Sequence, residues 1–336
     1  LVESYGGRVH ITTGFTHSST ALINGHEDLA GILKHDELTR QYLGEMRNKY
    51  KPDDIYGWLD KAKGLTIECI GEPIRDDYVF VVPAGKSAKE NLITFQKVKT
   101  ISSLGGINII AEHLKEAGII TKTWTGNCGT IIKTRYVDLP FNQKVFAITE
   151  MPKGGSLYAK FLTADPIVLA ADYGHGLFNR GEEKPAEFFA LTVQSNSINW
   201  GFNLLTKWSN ADYVVCDETE LRLATQSKEG DIRDLLKQQA ERMGARNFVV
   251  TLGHLGCLAY GSDSFTFAPA LADKVVDRMG AGDAFLAWTT PLAYLGAPAD
   301  VITFVGNLAA GIKVGMIGNQ AVENVALRKW IKGCLG

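Results

Sequence analysis

No apolar run in the chain approaches the length of a bilayer, which excludes a membrane-spanning helix. The charge has no excess of either sign: 35 Lys and Arg against 37 Asp and Glu leave a net −2. With no basic stripe, nucleic acid is not expected as a partner. Cysteine is scarce and unpaired in pattern: the five, at 69, 128, 216, 257 and 334, include no Cys-x-x-Cys. They read as reduced thiols of a cytoplasmic protein. The seven histidines show no ligand spacing with them, so a zinc site is not expected. The opening residues, Leu-Val-Glu-Ser-Tyr-Gly-Gly-Arg, hold no apolar segment of a secretion signal. No Gly-x-Gly-x-x-Gly follows the first regular strand, which argues against a nicotinamide-dependent oxidoreductase. No repeat or low-complexity segment occurs.

What is present is an ordinary soluble composition, 45% apolar and 21% charged over 336 residues, enough for one large α/β domain or two smaller ones. The chain begins with Leu rather than Met, consistent with a piece of a longer protein. Residues 36–50 are charged and read as a surface helix, and Lys51-Pro52-Asp53-Asp54 breaks it. From Leu65 strands and helices alternate, with strands at 65–70, 167–171, 188–193, 212–216 and 247–252. Ile167-Val-Leu-Ala-Ala171 is apolar throughout, as a strand buried on both faces must be. Helices are expected at about 105–117, 218–226, 230–243, 281–295 and 298–315, the fourth kinked at Pro291. Residues 77–100 and 131–149 read as strands of a smaller sheet. This order predicts an α/β sandwich, a mostly parallel sheet covered by helices on both faces.

The most informative stretch is Asp277-Arg-Met-Gly280-Ala281-Gly282-Asp283-Ala-Phe-Leu. Small residues at a helix start leave backbone N–H groups bare at the positive end of the dipole, which suits an oligophosphate. Asp283 on the first turn can accept a proton from a hydroxyl. Alone, Gly-Ala-Gly-Asp could equally be a turn whose acid caps a helix.

Four further signals each carry a plainer structural reading. Gly105-Gly106-Ile-Asn108 at a helix start suits a polyhydroxylated ligand, or is a helix cap. Gly71-Glu-Pro-Ile-Arg-Asp76-Asp-Tyr78 ends the first strand, where ligands gather in open sheets, or is a solvated turn. Thr251-Leu-Gly253-His-Leu-Gly256 is a strand running into a glycine turn able to hold phosphate or nucleoside, or is one of the many strand–glycine turns that hold nothing. Asp217-Glu-Thr-Glu220 can orient magnesium through water, or simply supplies acids to a helix first turn.

Taken together and in this order, the motifs resemble those of the PfkB (ribokinase-like) sugar kinases over about residues 62–336. Asp277-x-x-Gly-Ala-Gly-Asp283 is similar to that family's C-terminal signature, and Asp217-x-x-Glu220 to its Asn-x-x-Glu magnesium motif. Within the family the likeness is to the kinase half of bifunctional heptose-7-phosphate kinase/nucleotidyltransferases of ADP-heptose synthesis, through Gly71–Tyr78 and Asp172-Tyr-Gly-His175-Gly176. Thr13-Gly14-Phe-Thr-His17-Ser-Ser-Thr20-Ala-Leu22 resembles the end of a cytidylyltransferase-type domain. The chain has no His-x-Gly-His, so it lacks that activity's phosphate-binding core.

The resemblance implies a three-layer αβα ribokinase-like sandwich with a small β lid. Residues 1–35 become a nucleotidyltransferase remnant, 36–60 a linker helix, and 61–336 the kinase with its lid at about 77–100 and 131–149. It implies ATP and magnesium, with a sugar or sugar phosphate as acceptor, a homodimer through the lid, and a partner nucleotidyltransferase domain of the same protein. Asp283 would be the base, with Gly280, Ala281 and Gly282 forming the anion hole. Thr251, Gly253, Gly256, Asn307 and Asp217 would serve the nucleotide, and Glu220 would act on magnesium through water. Asp76, Gly105, Gly106, Asn108, His175, Gln194 and Asn196 would face the sugar.

Three positions depart from the pattern. Asp217 replaces Asn, His175 replaces the Lys of heptose kinases, and Gln194-Ser-Asn196-Ser-Ile-Asn199 replaces an Asp-Pro-Lys type sequence. A non-catalytic nucleotide- or sugar-binding module that regulates a fused transferase is the alternative expectation.

Overall fold

Ile167-Val-Leu-Ala-Ala-Asp172 sets the architecture. Ile167, Leu169 and Ala171 pack into one apolar cluster, Val168 and Ala170 into another, because successive side chains alternate across a strand. A strand that is apolar at every position therefore needs cover on both faces. The computed structural model describes residues 29–126, 129–152, 165–178 and 185–336, with side chains from residue 37 onward. The likeness at 13–22 and Cys128 lie outside the described residues.

The strands of the main sheet are β1 (Thr66–Gly71), β4 (Ile120–Trp124), β7 (Ile167–Asp172), β8 (Phe188–Val193), β9 (Tyr213–Asp217), β10 (Asn247–Thr251), β11 (Cys257–Gly261) and β12 (Ser264–Ala268). Their order is β12-β11-β10-β9-β8-β7-β1-β4, parallel from β4 through β10 and antiparallel at the β11–β12 edge. The β11–β12 hairpin was not expected from the sequence. Its two-residue turn puts both Ser262 and Asp263 at positive φ, the geometry that matches strand twist.

A second sheet, ordered β3-β2-β5-β6, is built from β2 (Pro73–Lys86), β3 (Ile93–Gly106), β5 (Ile131–Asp138) and β6 (Gln143–Glu150). It is the small sheet expected at 77–100 and 131–149, with longer strands. Gly105 and Gly106 end β3, paired with Ile74 and Pro73, so Gly105 is not in the helix as expected, while Gly106 also caps the helix that follows. Strand pairing with β2 captures them, and α3 (Ile107–Glu116) starts one residue later.

The remaining helices are α1 (Leu29–Lys49), α2 (Pro52–Ala62), α4 (Glu218–Thr225), α5 (Ile232–Met243), α6 (Ala281–Tyr294), α7 (Ala299–Val314) and α8 (Asn324–Leu335). Helices α2, α3, α6, α7 and α8 cover one face of the sheet, α4 and α5 the other, giving three layers. Helix α6 is buried at every position from Asp283 to Ala293, so packing all round holds its body while Ala281 and Gly282 stay open to a cavity.

The stretch 36–60, expected as a linker helix, is built into this layer as two helices broken at Pro52. Met46, Ile55 and Leu59 belong to the main core. Lys49 pairs with Asp300, the Tyr50 hydroxyl donates to Asp300 Oδ1 at 2.9 Å, and Arg328 meets Asp60 Oδ1 at 2.6 Å. No described helix is long and apolar enough to cross a membrane.

Candidate active site

The carboxyl ends of the parallel strands, the first turn of α6 and the underside of the small sheet enclose a cavity of about 540 Å³. Gly280 sits before α6 in the left-handed region at φ 76°, and a Cβ there would fall 2.2 Å from Asn319 Oδ1. Only glycine fits. No side chain caps the helix, so its first N–H groups have no intrahelical acceptor. Ala281, Gly282 and Asp283 all line the cavity. Beside Gly282 there is open space, with nothing within 4 Å of where a Cβ would stand. Bare donors, dipole and free volume together make an anion site.

Asp283 lies at its edge, 7% exposed, with Oδ1 accepting from the Tyr173 hydroxyl at 3.0 Å. Burial pushes its carboxyl up to about 6; the Tyr173 hydroxyl, Lys133 and Lys313 pull it down, and Asp76 adds to the rise. A carboxyl poised just below neutrality is suited to take a proton from a hydroxyl.

On the side away from the helix, Asp76 of β2 is buried and paired with Arg135 of β5. A Cβ on Gly105 would fall 2.3 Å from Asp76 Oδ2, and one on Gly106 would fall 2.2 Å from the Glu72 carbonyl oxygen. The glycine pair thus lets β3 close over Asp76. Gly106 lines the cavity; Gly105 and Asn108 do not. Lys133 lines it too, its ammonium lowered by burial although Asp76 stands near.

The loop after β7 is fixed from three directions. Buried Glu72 accepts from the backbone N–H groups of Tyr173 at 3.0 Å, His175 at 3.0 Å and Leu177 at 3.3 Å. Burial, with Asp172 nearby, pushes the Glu72 carboxyl up to about 7. The Tyr173 carbonyl accepts from Asn196 Nδ2 at 2.9 Å and Asn199 Nδ2 at 3.0 Å. Asn196 and Asn199 therefore hold the loop that aims Tyr173 at Asp283, and only Gln194 and Ser195 of that cluster line the cavity. His175 does not line it either; burial pushes its imidazole down to about 4, so it is neutral at pH 7 and its Nε2 is buried without a partner.

A smaller cavity of about 250 Å³ adjoins the first and shares Thr251, Gly253, Arg278, Ala281 and Gly282 with it. Phe285, Ala310 and Val314 give it an apolar wall and Asn307 a polar one. The Asn307 amide donates to Cys257 Sγ at 3.2 Å and the Ala268 carbonyl at 3.3 Å. Gly256, also in the lining, sits at φ 108° with the Ala268 carbonyl 2.1 Å from a would-be Cβ. A partly apolar slot thus opens beside the bare N–H groups of α6.

Asp217 and Glu220 cap α4 reciprocally: Glu220 N donates to Asp217 Oδ1 at 2.7 Å, and Asp217 N to Glu220 Oε2 at 2.8 Å. Burial raises both, Glu220 to about 8; the charge of Asp217 adds to the rise at Glu220 and that of Glu218 to the rise at Asp217, while the cap's own N–H groups pull each down. Among the described residues no group of three His, Cys, Asp or Glu could chelate a metal directly. The pair fits a hydrated dication brought in with a nucleotide, whose charge would draw both acids back to the ionised form.

Lys133, Arg135, Glu72, Tyr173 and Lys313 escaped the sequence reading. Three of them left a trace in it: Lys133 and Arg135 alternate on one strand face, and Lys313 is a lone charge in the apolar run Leu308–Val314.

The cleft at the strand ends, under the small sheet, is of a kind suited to a kinase, and the comparisons with known proteins point the same way. Residues 189–324 match the pfkB family carbohydrate kinase model. That stretch of the chain is therefore similar to the carbohydrate kinases of the PfkB family. Bifunctional protein HldE of Magnetococcus marinus is 33% identical over 247 residues, 66% of this chain and 49% of that protein. HldE of Rhodospirillum rubrum is 33% identical over 175 residues, 50% of this chain and 35% of that one. The chain thus spans about half or less of these relatives. The nucleoside kinase of Burkholderia thailandensis, solved with inosine, shares the fold with a TM-score of 0.59 at 16% identity, covering 81% of this chain and 97% of that one.

Proposed function

We propose that the chain transfers the γ-phosphoryl group of ATP to a hydroxyl of a sugar or sugar phosphate, of the heptose-7-phosphate kinase kind, in a route to nucleotide sugars. The observation that carries this reading is the buried Asp283, its carboxyl at about 6, set beside the uncapped first turn of α6. Asp283 takes the proton of the acceptor hydroxyl as its oxygen bonds to the γ-phosphorus. The bond from that phosphorus to the bridging oxygen breaks, and ADP leaves. The N–H groups of Ala281, Gly282 and Asp283 stand ready where negative charge gathers, which is usually the largest electrostatic contribution to such a step. The adenine occupies the slot of Phe285, Asn307 and Gly256. Magnesium, when bound, would neutralise phosphate charge, and Glu220 and Asp217 would hold it through water. Asp76, steadied by Arg135, grips acceptor hydroxyls. Lys133 and Arg278 supply cations for an acceptor phosphate, a role neutral His175 cannot fill.

The lid also leaves Ile93, Val98, Phe146 and Ile148 exposed on strands β3 and β6, a surface suited to pairing with a second copy. The relatives' greater length supports a nucleotidyltransferase partner within the same protein.

The test is Asp283→Asn, assayed with Mg-ATP over a panel of sugars and sugar phosphates. Turnover should fall about 10³-fold, within the range for losing a general base, while ATP binding persists. Near-wild-type turnover would overturn the assignment. A wild-type chain that binds ATP yet phosphorylates no member of the panel would favour the regulatory module.

A further inference from the structure

Lys313, on the last turn of α7, is fully buried. Its ammonium donates to the Met279 carbonyl at 2.8 Å and the Gly318 carbonyl at 2.9 Å. Among the described residues no carboxylate lies within ion-pair distance of it. Burial lowers its basicity, and the fields of Asp277 and Asp283 only partly offset this. The Asn319 side-chain oxygen beside it is buried without a partner. Gly280 is wedged between the two: a Cβ there would stand 2.2 Å from Asn319 Oδ1 and 3.2 Å from Lys313 Cε.

An uncompensated buried cation is costly, and an apolar side chain would serve packing on α7 at less cost. What the charge touches explains its presence. Two loops meet directly behind the anion site with carbonyl oxygens turned toward each other. Their negative ends repel one another and oppose the binding of phosphate close by. A seat lined by carbonyls is the environment that replaces a monovalent ion's hydration shell.

We propose that Lys313 is a built-in cation of the phosphoryl-transfer site: its ammonium fills a carbonyl-lined seat between the Asp277–Gly280 loop and the Gly318–Asn319 turn. By holding the Met279 carbonyl it fixes Gly280, and through Gly280 the N–H groups of Ala281 to Asp283. It is a positioning residue, and it makes the site independent of added monovalent ions. This rests on the phosphoryl-transfer reading above, so its test also includes a readout that needs no turnover.

Affinities for ATP and for adenosine are measured by calorimetry for wild type and Lys313→Met. Tetramethylammonium chloride, too large for the seat, is replaced stepwise by ammonium or potassium chloride at constant ionic strength. Wild-type affinity should not depend on the cation. Lys313→Met should lose about tenfold or more in ATP affinity, as for a lost charge-assisted contact, with adenosine affinity unchanged. Turnover should fall about 100-fold, as for a displaced oxyanion donor. Ammonium or potassium should restore both by refilling the seat.

The proposal is overturned if potassium activates the wild type, if Lys313→Met binds ATP as wild type does, or if its losses extend to adenosine and resist every cation. If the variant does not fold, the wild-type arm decides: indifference to potassium supports the proposal and activation by it refutes it. Absence of wild-type turnover counts against the kinase reading and leaves the affinity arms to judge Lys313.

Discussion

The two walls of the cleft are built from different materials. The wall we assign to phosphate is backbone: the first turn of α6, with Gly280 at φ 76° and open space beside Gly282. The wall we assign to the sugar is side chains brought from afar: Asp76 paired with Arg135, 59 residues apart, and Glu72 holding Tyr173 from 101 residues away. Backbone sites demand glycine at fixed spacing, because a Cβ would fill the space a ligand or loop must use. Side-chain sites tolerate many solutions. The phosphate wall therefore speaks for a reaction class, and the sugar wall for an individual substrate.

Gly280→Ala should break the backbone wall most severely. The new Cβ meets Asn319 at a positive φ, so the first turn of α6 must shift, and misplacement near 1 Å costs on the order of 10² in rate. Steady-state kinetics should show the loss in kcat with the KM for sugar little changed. A variant with wild-type kcat would show that the turn is not the phosphoryl site.

Arg135→Met should break the opposite wall. It leaves the Asp76 carboxylate buried and unpaired, and the KM for sugar should rise about tenfold or more, by the usual cost of stranding a buried charge. ATP affinity should be unchanged. Equal losses for both substrates would erase the distinction between the walls.

Tyr173→Phe joins them. The base must be ionised to act, so activity should climb through pH of about 6 as Asp283 loses its proton. The Tyr173 hydroxyl favours the ionised carboxylate; without it the carboxyl rises further, and the acid limb of kcat/KM should move to higher pH. At pH 7 the deficit should be modest and should close as pH is raised, whereas a folding defect would not recover.

The smallest effect concerns Glu220, at about 8 without a cation. Magnesium should lower it, so Mg-ATP binding at pH 7 should release protons. Calorimetry in buffers of different ionisation enthalpy measures this, and Glu220→Gln should reduce the release. An unchanged release would remove Glu220 from the metal's surroundings.

The motifs at 217–220, 251–256 and 280–283 could be read from the chain because each is local: a cap, a strand end, a helix start. The alternating faces of β7 likewise announced a sheet covered on both sides. Other readings failed for lack of context. Gly105 looks like part of a helix until β2 is beside it, whereas Gly106 both ends β3 and caps α3. The amides at 196 and 199 look like sugar ligands until the Tyr173 carbonyl is found between them. The segment at 36–60 looks like a linker because its charged face dominates its composition, yet Ile55 and Leu59 are core residues.

By itself, then, the sequence determined the layered α/β order and the small-residue turn that opens α6, since periodicity and glycine requirements act over a few residues. Only the tertiary structure decided which cations and acids surround Asp283. Lys133, Lys313, Tyr173 and Asp76 come from four separate elements, and their effect on one carboxyl depends on burial and distances of a few ångströms that no local pattern records.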